Sequence, residues 1–436
     1  MSLFVLRCVI FSLATCLTTC WFYGWPHTTY LLLRARAFCW LCADEVDRCR
    51  DPLPPDLPYF LPCRAQNTAI QTLFTVATST EYALSILPGT VYDNVGVQAC
   101  GAIGIFLFIA GWTTLTVSSA QLPLYTVAFF LFGHGVNYVS LGCLSLSEYT
   151  TNHVYMTMSL SLASQQLAAA IPPILWNVVL AFPDTSMRSV LSWYWLWTAL
   201  PVGLLFVIFL PSQRQIVPLT PSVKTEALSN LIAPKSGSFW QLIQDPGYQV
   251  FVVWYASTNM AVNSAVTNMV DVMGEDVASY FGLVSWVPVG PLLGLMNDYV
   301  NSIWSLWGVT VLHTFVLTSF LLEERMVHYL AVSVIACSLG YIHALKVYYV
   351  NENYAKEHLG KLVGFASFVS GALQLLNIAV AHSQIPIKME FGFWVIFSAA
   401  QFLMLWFLHQ DYLESVRETK SVVSIVLGDS KKSYGF

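Results

Sequence analysis

The chain has 436 residues, 56% of them hydrophobic and 10% charged, with a formal net charge of −5. Soluble domains carry about 25% charged residues, and a water-soluble fold of this composition would leave large apolar patches in water, so a soluble globular protein is excluded. The mild acidity and the lack of any basic run exclude nucleic acid as a partner and leave the lipid bilayer as the solvent of the fold.

An apolar run begins after Arg7 and continues through Trp21 to Leu33. It is longer than the roughly 7–15 residues of a signal-peptide core and reads as a first membrane span. A crossing of a hydrocarbon core of about 30 Å takes roughly 20 apolar residues. Segments near 6–30, 67–88, 99–119, 122–143, 154–180 and 190–210 supply them, and after a polar stretch so do 247–270, 278–297, 303–322, 328–349, 362–384 and 390–409. The predicted fold is all-α and polytopic, with about 12 transmembrane helices in two six-helix bundles. The N-terminal bundle covers 1–210 and the C-terminal one 246–410. The stretch 211–245, with Arg214, Lys224, Lys235 and four prolines, reads as a cytoplasmic linker, and 411–436 as a loose cytoplasmic tail.

Lys and Arg set the expected orientation. With the N-terminus inside, the inner loops and tail hold Arg214, Lys224, Lys235, Lys356, Lys361, Arg417, Lys420, Lys431 and Lys432. The outer loops after the first hold Arg188, Arg325 and Lys388. The first outer loop, about 34–66, breaks the pattern with five arginines interleaved among five aspartates and glutamates. It also gathers Cys39, Cys42, Cys49 and Cys63, which face an oxidising compartment in this orientation. Two disulfides are expected there, with three pairings open, and the spacing does not resemble a zinc ribbon. The plasma membrane is the expected location, with an intracellular membrane as the alternative.

The loop after the second predicted span reads Gly89-Thr-Val-Tyr-Asp93-Asn94-Val95, and the loop after the eighth reads Gly294-Leu-Met-Asn-Asp298-Tyr299-Val300. Both are G-x-x-x-D-x-V at matching positions half a chain apart, as in transporters built from parallel repeats. The first resembles the G-x-x-x-D-R-x-G-R-R signature of the major facilitator superfamily through Gly89, Asp93 and Gly96, while Asn94, Val97 and Gln98 stand at its basic positions. The resemblance implies a cytoplasmic latch, and the missing cations put a charge-based latch in doubt. Gly24-Trp25, Leu31-Leu32, Ala37-Phe38 and Leu41-Cys42, followed by Ala83-Leu-Ser-Ile-Leu87-Pro88-Gly89, resemble the system-L-type facilitative neutral amino-acid transporters and the related apicomplexan amino-acid transporters. In the second half only Ser238-Phe239-Trp240, entering the seventh predicted helix, matches in outline.

No catalytic motif occurs in a workable context, so no enzyme activity, cofactor or metal is expected. In the seventh predicted span Asn259, Asn263 and Thr267 recur every four residues, on one face. That face is either interhelical glue or a lining that donates to and accepts from a zwitterion. His134 and Asn137, three apart, Gln165 near the break at Pro172-Pro173, and Tyr341 are further substrate-binding candidates. Two ionisable groups fall inside predicted spans, where charge is costly and marks function by default. Lys346 either snorkels to the inner surface or serves the site. Glu81, on a short stem, is a proton-coupling group, a partner for a cation, or a protonated hydrogen-bonding residue. Glu81 and Lys346, with Gly89, Asp93 and Asp298, are the coupling and gating candidates.

These residues predict a membrane transporter of small organic solutes, amino acids foremost, working by alternating access. A proton-coupled carboxylate or sugar carrier, or a non-transporting sensor with a carrier fold, are the alternatives. The expected partners are a small-molecule solute and the bilayer, with the oligomeric state open.

Overall fold

The structure, a computed structural model, describes residues 3–19, 21–42, 62–149, 154–211, 234–284, 289–382 and 386–433. Among these it is helical throughout, apart from one isolated bridge between Lys235 and Tyr354. In chain order the helices are α1 (Leu3–Thr18), α2 (Trp25–Arg34), α3 (Arg64–Ala83), α4 (Ile86–Asn94), α5 (Val97–Val117) and α6 (Tyr125–Leu144). Then come α7 (Val154–Leu167), α8 (Ile171–Ala181), α9 (Met187–Tyr194) and α10 (Leu200–Phe209). The second half holds α11 (Phe239–Ile243), α12 (Pro246–Met273), α13 (Glu275–Val284), α14 (Val289–Asn297), α15 (Ser302–Ser319), α16 (Arg325–Asn353), α17 (Leu359–His382) and α18 (Ile387–Ser433).

The exterior carries large apolar side chains, among them Phe106 at 68%, Trp197 at 74% and Ile396 at 74% exposure, while Thr15, Glu81, Asn259, Gln374 and Gln401 are buried. Apolar residues outside and polar ones inside form a surface that water would not tolerate and lipid would. Five of the described segments are each long and apolar enough to cross a membrane: Val97–Val117, Tyr125–Ser147, Met187–Phe209, Arg325–Asn353 and Ile387–Ser415. Phe4–Thr18 and Ala168–Ala181 are shorter apolar helices.

Several segments read from sequence as single spans are interrupted. The first breaks at 19–24 through a 3-10 turn, Trp21–Tyr23, and resumes with Pro26 at a helical start, where its missing N–H costs nothing. The second breaks between α3 and α4, just ahead of Pro88. The fifth tightens to a 3-10 turn at Ala168–Ala170 before Pro172-Pro173, and this turn packs against the one at Trp21–Tyr23. Such breaks survive inside a membrane where other protein surrounds them.

The last helix, α18, continues from the final apolar segment through the expected tail region to Ser433. No proline follows Pro386, so nothing in the sequence stops the helix. The linker residues 212–233 lie outside the described ones, but its end is pinned. Lys235 pairs with Asp245 at 2.9 Å and Asp411 at 3.1 Å, and its backbone bridges to the end of α16. Ser238 then opens α11 with a capping box to Gln241.

Candidate functional site

Polar side chains from α3, α6, α12, α16, α17 and the 3-10 turn at Trp21–Tyr23 converge in the interior. Tyr23 donates its hydroxyl to the Glu81 carboxylate at 2.9 Å. Asn137 donates its amide to the Glu81 backbone carbonyl. On the neighbouring residue, the Tyr82 hydroxyl lies 3.4 Å from Nε2 of His343, and the Tyr255 hydroxyl lies 3.2 Å from Nδ1 of the same ring. One imidazole therefore bridges α3 of the first half to α12 of the second. Lys346, one turn after His343, donates to the Ser367 hydroxyl at 2.6 Å and sits 5.1 Å above the Tyr255 ring. Asn259 lies one turn after Tyr255 and donates to its carbonyl at 3.2 Å.

Sequence reasoning brings Glu81, Asn137, Asn259 and Lys346 into this cluster. Lys346 is 4% exposed and does not snorkel. Asn263, one turn beyond Asn259, is buried with its amide nitrogen unpartnered. Thr267 departs from the expected face: it is exposed, and its hydroxyl bonds back to the Asn263 carbonyl. At 3.6 residues per turn, each step of four advances about 40° around the helix, so a line of three drifts off its face. His134 meets Tyr138 edge-on at 5.3 Å instead of joining Asn137. Gln165 donates to Ser140, and Tyr341 donates to Asn297 at 2.8 Å; neither reaches the cluster.

Sequence reasoning missed Tyr23, Tyr82, Tyr255, Ser367 and Gln374. Gln374 is 3% exposed, and both atoms of its amide lack a partner. Ser367, Ser370 and Gln374, spaced three and four apart, share a face of α17, and that spacing was a signal available in the sequence.

The two G-x-x-x-D loops perform matching contacts. Oδ1 and Oδ2 of Asp93 accept the backbone N–H groups of Gly360 and Lys361, each at 2.9 Å, at the start of α17. The Asp298 carboxylate accepts those of Tyr155 at 3.0 Å and Met156 at 3.3 Å, at the start of α7. Free N–H groups at a helix start favour an anion. The glycines allow the approach: a Cβ on Gly89 would meet the Gly360 carbonyl oxygen at 2.1 Å, and one on Gly294 the Ser159 hydroxyl at 2.3 Å. Each acid thus contacts backbone N–H groups of the other half, without the arginines of the signature. Lys361 adds a contact to the Asn94 side-chain carbonyl at 3.3 Å. Burial pushes the Asp93 carboxyl above its usual range, against the two amides and the Lys361 charge, which pull it down.

Cys42 and Cys63 form a disulfide across 21 residues of the first long loop, and Cys39 is disulfide-bonded as well. Cys49 lies outside the described residues. A separate cavity of about 560 Å³ lies beside Trp21, Arg34, Arg36, Asp184 and Arg188, and no residue of the polar cluster lines it.

No family model matches the chain. It is 23% identical over 409 residues to amino acid transporter 6-1 of Toxoplasma gondii, covering 85% of this chain and 71% of that protein. It is 21% identical over 384 residues to the aromatic and large neutral amino acid transporter 5-3 of Toxoplasma gondii, covering 82% and 73%. Among solved structures, the human organic anion transporter MFSD10 matches with a TM-score of 0.61 and 15% identity, over 92% of this chain and 99% of that one. The major facilitator superfamily transporter FucP, in the outward conformation, matches with a TM-score of 0.60 and 12% identity, over 93% and 98%. The chain has the major facilitator fold, is an integral multi-pass membrane protein, and resembles amino-acid transporters in sequence.

Proposed function

We propose that the protein carries amino acids across a membrane, the plasma membrane foremost, by alternating access between two six-helix bundles. The first bundle would comprise the spans before Pro211, and the second those after Asp245, with the linker and both ends of the chain in the cytosol. The names of the relatives support an amino-acid solute, and the fold shared with the solved transporters supports the rocking mechanism.

The observation that carries the reading is the reciprocal grip of the two halves. Asp93 of the first half holds the start of α17 in the second, and Asp298 of the second holds the start of α7 in the first. In this orientation both grips lie at the cytoplasmic end, which is closed. Hydrogen bonds to a charged acceptor contribute roughly 1.5–3 kcal/mol each, so opening this end requires compensating contacts at the other. The solute exchanges its water contacts for side-chain contacts in each state, and no covalent step is needed. Asn259, Asn263 and the Tyr82–His343–Tyr255 bridge supply neutral donors and acceptors at the centre.

The test is uptake of radiolabelled amino acids by proteoliposomes holding the purified chain. Saturable uptake accelerated by unlabelled amino acid inside supports a carrier. Uptake no faster than in empty liposomes, for every amino acid tried, refutes it.

A further inference from the structure

Glu81 and Lys346 are buried ionisable groups contributed by different halves of the chain, 5% and 4% exposed. Charges at such depth persist when each has a partner and a use. Their charges act on one another, yet no ion pair within 4.0 Å joins them. Each carries a neutral hydroxyl instead: Tyr23 on Glu81 and Ser367 on Lys346. A pair serving stability alone would gain most by closing to contact, because separated buried charges keep their desolvation cost and lose most of the attraction. The arrangement leaves a buried acceptor from one half and a buried donor of opposite sign from the other, each held by a hydroxyl and not by its opposite.

A second observation points to a polar ligand. Gln374 shares its face of α17 with Ser367, the partner of Lys346, and neither amide atom finds a partner. Gly371, between them, packs against Tyr82 and Ala83 of α3, beside Glu81. A buried amide with nothing bound costs about 1–3 kcal/mol, which a solute's polar groups would recover.

We infer that Glu81 and Lys346 form the two ends of a zwitterion clamp, the solute ammonium going to Glu81 and its carboxylate to Lys346, and that the site selects amino acids of zero net charge. This rests on the amino-acid carrier reading above. The two side chains supply one positive and one negative charge, and a zwitterion divides the pair without leaving a surplus. A solute with a further cationic side chain brings one unmatched charge into a low-dielectric interior, which is strongly unfavourable. The neutral bridge Tyr82–His343–Tyr255 supplies no charge to absorb it.

The test uses the full chain in nanodiscs and displacement of radiolabelled L-leucine by unlabelled L-leucine, by its deaminated analogue 4-methylpentanoate, by its decarboxylated analogue isoamylamine, and by L-lysine. Glu81→Gln is expected to weaken L-leucine at least tenfold and leave 4-methylpentanoate unchanged or tighter. Lys346→Gln is expected to weaken L-leucine at least tenfold, spare isoamylamine, and raise L-lysine relative to L-leucine. The double variant Glu81→Gln/Lys346→Gln leaves no unmatched buried charge, so it serves where a single variant fails to fold, and it is expected to lose both effects' worth of L-leucine affinity. Unchanged L-leucine affinity in these variants, or an equal loss for L-leucine and both truncated analogues, overturns the clamp while leaving the carrier reading intact. A wild-type protein that binds no amino acid overturns both.

Discussion

Asp93 accepts the backbone N–H of Lys361 at 2.9 Å, and through that bond the loop closing the first half's second helix caps a helix of the second half. In the proposed mechanism this charge-to-backbone contact stands where the signature arginines would have supplied a charge-to-charge latch. Asp93→Ala removes both acceptors and orphans two N–H groups at the start of α17. The loss of two such bonds should be about 3–6 kcal/mol of closed-state stability, or at least roughly a hundredfold in the closed-to-open ratio. Faster maleimide labelling of a cysteine placed at Lys361 would report it; an unchanged labelling rate would show that the contact does not hold this end shut.

The same carboxyl sets a pH dependence. Its pKa is raised in the closed state, by burial first of all, and returns to the ordinary aspartate range when the loop opens into water. The closed state therefore binds the proton more tightly, and acid favours closure in the window just above the ordinary aspartate range. Labelling at position 361, taken as a ratio to the same cysteine in the Asp93→Ala protein at each pH to cancel the falling thiolate fraction, should slow as pH falls through that window; a ratio that stays constant would show no such dependence. His358, whose charge also acts on Asp93, needs a His358→Gln background.

At the solute site, Asn263→Ala separates a binding amide from a packing one. The Asn263 nitrogen is buried and unpartnered, so its removal should leave the empty protein as stable or slightly more stable. A lost contact to a charged solute group should raise the half-saturation concentration about ten- to hundredfold. Thr267→Ala, at an exposed position bonded only within its own helix, should change affinity little. A stability loss in Asn263→Ala with unchanged affinity would make that face packing.

The limits of the sequence reading follow from what periodicity encodes. The apolar segments were legible because composition is local, and five described helices among them are long and apolar enough to cross a membrane. They did not show the breaks at 19–24 and 84–85, where Gly24, Pro26 and Pro88 act only together with the surfaces that shelter them. Glu81 and Lys346 announced themselves by the cost of charge in lipid. Tyr23, Tyr82 and Tyr255 gave no such signal, because a tyrosine in a span usually serves packing or an interface. The repeated G-x-x-x-D was legible as a pattern, but its partners, Gly360 and Tyr155, lie far away in sequence.

For the outer loop, Cys42→Ser or Cys63→Ser opens the disulfide spanning 21 residues. Removing a cross-link over a loop of that length costs about 2–4 kcal/mol, which should appear as a lower melting temperature and reduced surface expression. Non-reducing peptide mapping of the native chain should recover the Cys42–Cys63 pair, and finding both thiols free would contradict it.

The account's central claim is that the two halves must part at their reciprocal grips for a solute to pass. Lys361 reaches the Asn94 side chain across that junction at 3.3 Å, so the double variant Asn94→Cys/Lys361→Cys places two thiols across it. Oxidation should cross-link them and abolish amino-acid uptake in proteoliposomes, and reductant should restore it, with wild type carried through the same treatments. Uptake at the full rate by the fully cross-linked protein would contradict the claim.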